Sequence, residues 1–188
     1  MTTNCKTPFR KWAPVYIDRG LSPRPCVGKA CKQKGWQKPD SDLTEGLIEA
    51  WMNKYPKSNI GLLMGTKLED ATHLGALDID NDNYAALGKA VLHNPPCGRI
   101  GKKGAVYFVR FTPELFQQFI DKNKRYHPGK FTVSGEHDSQ LGQVAEFLIY
   151  RQLCVIPPSI HPDTKQRYQW LGKPLHEMDF TQLPLIGA

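Results

Sequence analysis

The sequence predicts a mixed α+β fold built around one core. Short apolar and aromatic runs typical of strands are mixed with helical patterns, and they do not follow the strict alternation of a parallel α/β sheet. The chain has 188 residues, near the usual size of one domain, and 40% of them are hydrophobic, which is enough for a core. No repeat or linker divides the chain, so we expect a single domain over residues 1–188.

The first 40 residues and the segment after them have different patterns. Residues 1–40 are rich in proline and show no clear hydrophobic period, so they are predicted to be loop-rich and extended. A helix is predicted next, because Ser41 suits its N-cap, apolar side chains repeat on one face as far as Tyr55, and Pro56 ends it.

The rest of the chain contains further strand and helix patterns. In order, they predict strands over 59–64 and 74–80, a helix over 84–92, a strand over 105–111 and a helix over 113–122. Pro113 is well placed in the first turn of the last helix. Strands over 143–149 and 153–156 are expected to pair as a hairpin through residues 150–152.

Several classes of protein are excluded by what the sequence lacks. No apolar run reaches the roughly 18–20 residues that span a bilayer, and the N-terminus has no apolar signal-peptide block. The sequence has no GxGxxG, GxxxxGK[ST] or GxSxG motif of nucleotide-binding or hydrolase sites. Its five cysteines form no CxxC motif and fit a reducing cytoplasm: Cys5, Cys26, Cys31, Cys97 and Cys154.

The positive charge is concentrated at the N-terminus. Residues 1–40 hold nine Lys and Arg against two Asp, a net charge of +7, while residues 41–188 hold 16 of each sign. A basic segment on a neutral body predicts a polyanion partner, and a plainly solvated surface is the alternative. Trp12, Tyr16 and Trp36 either stack on exposed bases or pack against the body.

Asp78 and Asp80 form the strongest local signal for chemistry. Residues two apart on a strand point to the same face, so the two carboxylates lie together while Leu77 and Ile79 face the core. Their repulsion is relieved by a divalent cation such as Mg²⁺ or Mn²⁺. The alternative is a strand that runs into an Asx-rich turn over 81–83.

Glu146 is the one carboxylate in the apolar strand over 143–149. A charge there is costly unless it is paired or bound to a metal. It is therefore either a third metal ligand beside Asp78 and Asp80 or a charge that protects an edge strand.

Two further clusters suit phosphate. Arg99, Lys102 and Lys103 surround two glycines that permit close backbone approach, although the same stretch also reads as a basic hairpin turn. Ser159 and His161 are two residues apart among prolines, so an extended backbone points both the same way. They predict a phosphate contact or half of a hydrolase site, with a plain turn as the alternative.

The order of these motifs resembles a known family. Along the chain stand GWQKPD, NIGLLMG, LGALDID, GRIGKKGAVYF, VAEFLI and VIPPSIHPDTKQRYQW. Over roughly residues 10–172 this order resembles the bifunctional primase-polymerase domains of phage and plasmid replication proteins, within the archaeo-eukaryotic primase superfamily. Many relatives have Gly-Gly-x-His before the aromatic strand, where this chain places Val106 at the histidine position.

The resemblance implies a fold and an activity. The fold is an RRM-like catalytic sheet with flanking helices and an N-terminal α/β portion, here a basic segment over 1–40 and a catalytic core over 41–172. The activity is template-directed nucleotidyl transfer by two Mg²⁺ or Mn²⁺ ions, with a single-stranded DNA template, a primer and dNTP or NTP as substrates. Such domains are usually fused to a helicase, so the resemblance also implies a helicase partner, fused or associated.

The resemblance and the residues together give a predicted site. Asp78, Asp80 and Glu146 are the expected metal ligands, and the expected triphosphate contacts are Arg99, Lys102, Lys103, Ser159 and His161. The basic segment is expected to bind the template through Lys29, Lys32, Lys34 and Lys38. The competing hypotheses are a silent single-stranded nucleic-acid-binding module, which needs no cation, and a metal-dependent nuclease, which shortens DNA.

Overall fold

Two β-sheets and four helices make up the described part of the computed structural model, which covers residues 8–39, 43–122, 130–134 and 143–187. The predicted mixed α+β class is confirmed. The predicted N-cap Ser41 lies outside the described residues, as does Cys5. The helices are α1 (Pro8–Ile17), α2 (Leu47–Lys54), α3 (Asp82–Val91) and α4 (Pro113–Lys122).

Ten strands form the two sheets. The strands are β1 (Pro23–Cys26), β2 (Asn59–Leu63), β3 (His73–Ile79), β4 (Cys97–Ile100), β5 (Ala105–Phe111), β6 (Lys130–Ser134), β7 (Gln143–Leu148), β8 (Leu153–Ile156), β9 (Gln169–Gly172) and β10 (Leu185–Ile186). The small sheet has the order β1-β2-β8, and the large sheet has the order β6-β7-β3-β5-β4-β9, with β10 pairing β5.

The centre of the large sheet has RRM-like connectivity. Along the chain its elements are β3, α3, β4, β5, α4 and, after the edge strand β6, β7. In space the four strands lie in the order β7-β3-β5-β4, and each adjacent pair is antiparallel. This is the β-α-β-β-α-β arrangement in which the first strand lies between the third and the fourth. Side chains that alternate along β3 therefore point either to the face of the sheet that is covered by α3 and α4 or to the opposite face.

The two faces of β3 pack against different partners. Leu77 and Ile79 belong to the core cluster that also contains residues of α3 and α4, as predicted. Ala76, two residues before Asp78, belongs to the second cluster, which contains α1 residues and β2 residues. The face that carries Asp78 is thus turned toward the small sheet.

The N-terminal segment is more ordered than the sequence predicted. Residues 8–17 form α1, and the buried side chains of Phe9, Ala13 and Tyr16 follow the helical period. The prediction of a loop-rich segment is wrong here. Proline usually interrupts a helix, and Pro14 lies inside α1, so the helical period of the apolar side chains was not recognised in the sequence. Trp12 and Trp36 also pack against the core, so the packing alternative holds for these aromatic side chains.

The predicted hairpin of the strands over 143–149 and 153–156 is wrong. Strand β7 pairs with β3 in the large sheet, whereas β8 pairs with β2 in the small one. The connection between them is attached to the end of β2, since Met64 N donates to Gln152 O and Arg151 N donates to Met64 O. Arg151 adopts a positive φ of 56° there, and the chain passes from one sheet to the other.

The bounds of three further elements can be compared with the sequence predictions. Strand β5 and helix α4 have the predicted bounds. Helix α2 begins at Leu47, later than predicted, after Gly46 in a left-handed conformation. No helix in the described ranges is long and apolar enough to cross a membrane.

Candidate active site

A row of register-matched residues crosses the large sheet at the end of β3. Asp78 lies opposite Glu146 on β7 and opposite Val106 on β5. Val106 lies in turn opposite Arg99 on β4, which is opposite Trp170 on β9. Directly opposed residues point to the same face of a sheet. The strand pairing therefore brings the predicted Asp78, Glu146 and Arg99 onto one face.

This row borders a cleft of about 240 Å³ between the two sheets. Strand β8 of the small sheet forms one wall, and the ends of β3 and β4 with the β4–β5 turn form the other. The lining residues are Lys29, Asp78, Asp80, Arg99, Lys102, Lys103, Leu153, Val155, His161, Asp163 and Tyr168. Six of these are predicted metal or phosphate contacts, from three separate segments of the chain.

The Asp78 carboxyl is electrostatically strained. Burial raises the pKa of Asp78 to about 6, with Asp80 and Glu146 adding to the rise and Arg99 and Lys29 opposing it. A carboxylate that is buried beside two like charges favours either a proton or a cation. The site is therefore suited to a positively charged ligand.

This strain predicts a pH-dependent cost in stability. The unfolded chain releases the Asp78 proton near pH 4, whereas the folded protein holds it to about pH 6. Stability is lost as the pH rises through this window, and the full penalty, about 3 kcal/mol, is present above it. We expect Asp78→Asn to be more stable than wild type by about this amount at neutral pH, measured by urea unfolding in chelator.

The same unfolding series supplies its control. The gain of Asp78→Asn is expected to vanish below about pH 3, where the wild-type carboxyl is protonated in both the folded and the unfolded state. Asp18→Asn, at an exposed position, is expected to change stability little at either pH. A gain for Asp78→Asn that does not change with pH would show that its carboxyl is not strained.

The β4–β5 turn approaches the cleft closely because of its glycines. A Cβ on Gly101 would lie 2.6 Å from the Tyr168 ring, and one on Gly104, at φ +62°, would lie 1.7 Å from Ile79 O. The Gly104 N–H donates to Asp82 Oδ1 at 2.6 Å, which ties the turn to the start of α3. The turn is thereby held against the end of β3.

The exposed cations of this turn stand at the mouth of the cleft. Lys102 and Lys103 are both exposed and line it. Lys102 Nζ lies 3.5 Å from Asp163 Oδ2, an exposed pair of small energetic value that an anionic ligand can replace. Arg99 lies deeper, with its guanidinium carbon 4.8 Å from the centroid of the Tyr168 ring.

His161 is buried, with 2% of its surface exposed, and lines the cleft. The backbone N–H groups of Asp163 and Thr164 donate to its Nδ1, at 3.2 and 3.4 Å. Burial and the nearby charges of Lys29, Lys102 and Arg99 lower the pKa of His161. The neutral ring with an accepting Nδ1 carries its hydrogen on Nε2, which makes His161 a hydrogen-bond donor.

Ser159 is not part of the cleft. Its Oγ accepts a hydrogen bond from Ile60 N at 2.8 Å and donates one to Ile60 O at 3.1 Å. Both interactions fasten the loop to β2, so the hydroxyl is used structurally. His161 lines the cleft and Ser159 does not, so the predicted phosphate contact of Ser159 stays a prediction.

The predicted template lysines lie in two places. Lys29 lines the cleft, whereas Lys32, Lys34 and Lys38 are exposed and are not among its lining residues. Arg24, counted with the basic segment, is fully buried and donates to the carbonyl oxygens of Pro23, Trp36 and Lys38. Arg24 therefore fixes the segment that carries the exposed lysines.

The comparison with protein families identifies the family of this chain. Residues 13–185 match the Prim-Pol family, described as the N-terminal domain of bifunctional DNA primase/polymerases. The chain belongs to this family. No curated protein matches it. A Prim-Pol domain is a nucleotidyltransferase of the primase/polymerase type, with nucleic acid and nucleotides as its substrates.

Prim-Pol enzymes generally use divalent metals, and the donors of this cleft fit one. Among the described residues, no three His, Cys, Asp or Glu side chains form a metal site by themselves. Asp78 and Asp80 line the cleft and offer hard carboxylate oxygens. Burial is the main cause of the raised pKa of Asp78, and the carboxylates of Asp80 and Glu146 add to it. Mg²⁺ is commonly held by one or two carboxylates together with substrate phosphates and water, which suits these two residues.

Sequence reasoning missed two residues of the Prim-Pol cleft. Tyr168 stands in the quoted Tyr-x-Trp motif, which was the available signal, but its role needed the pairing of β9 with β4. Lys29 was assigned to the template because the position of the loop after β1 beside the cleft is invisible in local sequence. Glu146 opposes Asp78 but does not line the cleft.

Proposed function

We propose that this Prim-Pol domain performs template-directed nucleotidyl transfer, adding nucleotides to a primer 3′-hydroxyl on single-stranded DNA. The observation that carries the proposal is the charge arrangement of the cleft. Asp78 and Asp80 line the cleft, and Arg99, Lys102 and Lys103 line the same space. A polymerase that uses nucleoside triphosphates requires carboxylates that hold metal ions beside basic side chains that bind phosphates.

Asp78 and Asp80 would hold the divalent ions, with Glu146 opposing Asp78 from β7. Bound Mg²⁺ or Mn²⁺ supplies activation of the primer hydroxyl and neutralisation of triphosphate charge. Asp78 is half-buried near the end of β3, where pairing with β5 and β7 fixes its backbone before substrate arrives, and phosphoryl transfer depends mainly on such positioning.

The remaining residues would bind and orient the nucleotide. Lys102 and Lys103 attract the triphosphate at the mouth, and Arg99 holds it at the floor. His161 donates from Nε2 without adding charge, because its pKa is lowered. In this chain the neutral donor comes from the loop after β8, since Val106 occupies the histidine position of many relatives.

The test of this proposal is an incorporation assay. Labelled dNTPs or NTPs are supplied on a single-stranded template, with and without a primer, in Mg²⁺, Mn²⁺ or chelator. Lengthened products that require the cation support the proposal. Shortened DNA would identify a nuclease, and template binding that persists in chelator without any product would identify a silent binding module.

The exposed lysines give a prediction for template binding. Lys32, Lys34 and Lys38 are changed together to Gln, which removes charge but keeps side-chain length. If they contact the strand, affinity at low salt falls and the log–log slope of affinity against salt decreases by more than one unit, at about 0.7 per phosphate contact. Fluorescence anisotropy of labelled single-stranded DNA measures both quantities.

A matched triple variant controls for net charge. Lys67, Lys89 and Lys173 are also exposed and lie on other elements, so changing them to Gln removes the same charge elsewhere. We expect this variant to keep the wild-type salt slope. An equal loss of slope in both triples would mean that only long-range charge, screened within roughly 10 Å, acts on the template.

A further inference from the structure

Two buried polar atoms at the floor of the cleft have no hydrogen-bond partner among the described residues. They are Nε of Arg99 and Oη of Tyr168, whose residue is only 3% exposed. Both residues line the cleft. A buried donor without a partner is costly, and proteins rarely keep one without a reason. Two such atoms in one cleft point to a ligand that completes them.

The two groups are held in place before any ligand binds. The Arg99 guanidinium stacks on the Tyr168 ring at 4.8 Å, and the pairing of β4 with β9 fixes both backbones. The centroid of the His161 ring lies 5.4 Å from that of the Tyr168 ring. Gly101 allows this packing, because a Cβ there would overlap the Tyr168 ring. Such preorganised donors lose little entropy on binding.

The chemistry of the pair defines what it takes. A guanidinium has donors and no acceptor. Burial raises the pKa of Tyr168 to about 12, so its hydroxyl stays protonated and able to donate. Both groups therefore seek an acceptor oxygen, and the Arg99 charge favours an anionic one. Lys102 and Lys103 at the mouth extend this preference along the cleft, as a chain of phosphates requires.

We propose that Tyr168 Oη and Arg99 Nε together bind a non-bridging phosphate oxygen of the incoming nucleotide. Tyr168 thereby becomes a nucleotide-binding residue at the cleft floor, which deepens the proposed nucleotidyl transfer and rests on it. The buried Tyr168 hydroxyl lowers the stability of the free protein because it has no hydrogen-bond partner among the described residues, and in the complex it donates to the phosphate.

Tyr168→Phe tests the inference because it removes only the oxygen. Removing a buried hydroxyl without a partner is expected to leave the free protein as stable as wild type or more so. Affinity for a non-hydrolysable nucleoside triphosphate is expected to fall about tenfold, about 1.4 kcal/mol, by titration calorimetry in Mg²⁺. Inorganic triphosphate, as a second probe, is expected to lose affinity by a similar factor.

Tyr107→Phe is the matched control. The Tyr107 hydroxyl donates to Ala85 O at 3.1 Å on the helical face, away from the cleft. We expect this variant to lose stability and to keep its nucleotide affinity, the opposite of Tyr168→Phe. Arg99→Lys keeps the charge but loses Nε, and its effect on affinity is expected to overlap with that of Tyr168→Phe in the double variant.

Each outcome decides the matter. Unchanged nucleotide affinity in Tyr168→Phe, or a loss of its stability or folding, would overturn the inference while leaving primer extension by wild type to stand. A loss for the nucleotide but none for inorganic triphosphate would move the contact from phosphate to sugar or base and overturn it as well. Wild-type protein that binds neither probe and extends no primer would overturn the proposed function itself.

Discussion

Asp78→Asn and Asp80→Asn are each expected to reduce nucleotide incorporation by about 10³-fold or more while the protein remains folded. Asn keeps the size of the side chain but removes the charge that would hold the cations, and loss of metal assistance costs several kcal/mol of transition-state stabilisation. Because burial strains the Asp78 carboxyl, its variant should not lose stability. Primer extension and urea unfolding, run on the same preparations, measure both effects.

Asp163→Asn is the matched control for this prediction. Asp163 also lines the cleft, but it stands on the loop after β8 and pairs with Lys102. Its variant is expected to retain incorporation within about threefold of wild type, since an exposed ion pair contributes little. Incorporation by Asp78→Asn or Asp80→Asn within a few fold of wild type would remove these residues from the metal site.

Neutralising the β4–β5 turn is expected to weaken nucleotide binding. In Lys102→Gln/Lys103→Gln, the triphosphate loses two charge-assisted contacts, each worth roughly 1.5–3 kcal/mol. KM for the nucleotide should therefore rise at least about tenfold, with a smaller change in kcat. His161→Asn should act the same way, because Asn preserves an acceptor for the loop N–H groups but loses the Nε2 donor.

The control for this pair is Lys67→Gln/Lys89→Gln, which removes the same charge from other exposed positions. Steady-state kinetics at saturating primer and template separate KM from kcat. Unchanged KM in both the lysine and the histidine variants would mean that the triphosphate lies elsewhere in the cleft or outside it.

The features that the sequence predicted correctly are those set by neighbouring residues. Alternation along β3 separates Leu77 and Ile79 from Asp78, and the structure confirms this because a strand has a period of two whatever its partners. The bounds of β5 and α4 follow from local runs in the same way.

The features that the sequence did not predict are relations between distant segments. Strands β7 and β8 are adjacent in the chain, yet β7 pairs with β3 in the large sheet and β8 pairs with β2 in the small sheet. No local pattern reveals these pairings. Ser159 is used by β2, a strand almost a hundred residues earlier in the chain. A count of charges places Arg24 among the exposed basic residues of the N-terminal segment. Its side chain is buried, because it donates hydrogen bonds to three backbone carbonyl oxygens.

Within the cleft, the sequence supplied the carboxylates and the basic turn but not their geometry. The row that joins Asp78 to Arg99 passes through Val106, and it exists only because β5 lies between β3 and β4. Tyr168 joins the cleft through the pairing of β9 with β4. The pairing of strands that are distant in the chain thus brings together residues that the local patterns identify one at a time.

Binding of Mn²⁺ to chelator-treated protein, followed by the loss of the EPR signal of the free ion, tests most directly whether the end of β3 is the metal and nucleotide site. Titrations are made with and without a non-hydrolysable nucleoside triphosphate. Wild type and Asp163→Asn are expected to bind Mn²⁺ more tightly when the nucleotide is present, and Asp78→Asn is expected to bind it at least about tenfold more weakly. Equal binding by wild type and Asp78→Asn would contradict the assignment.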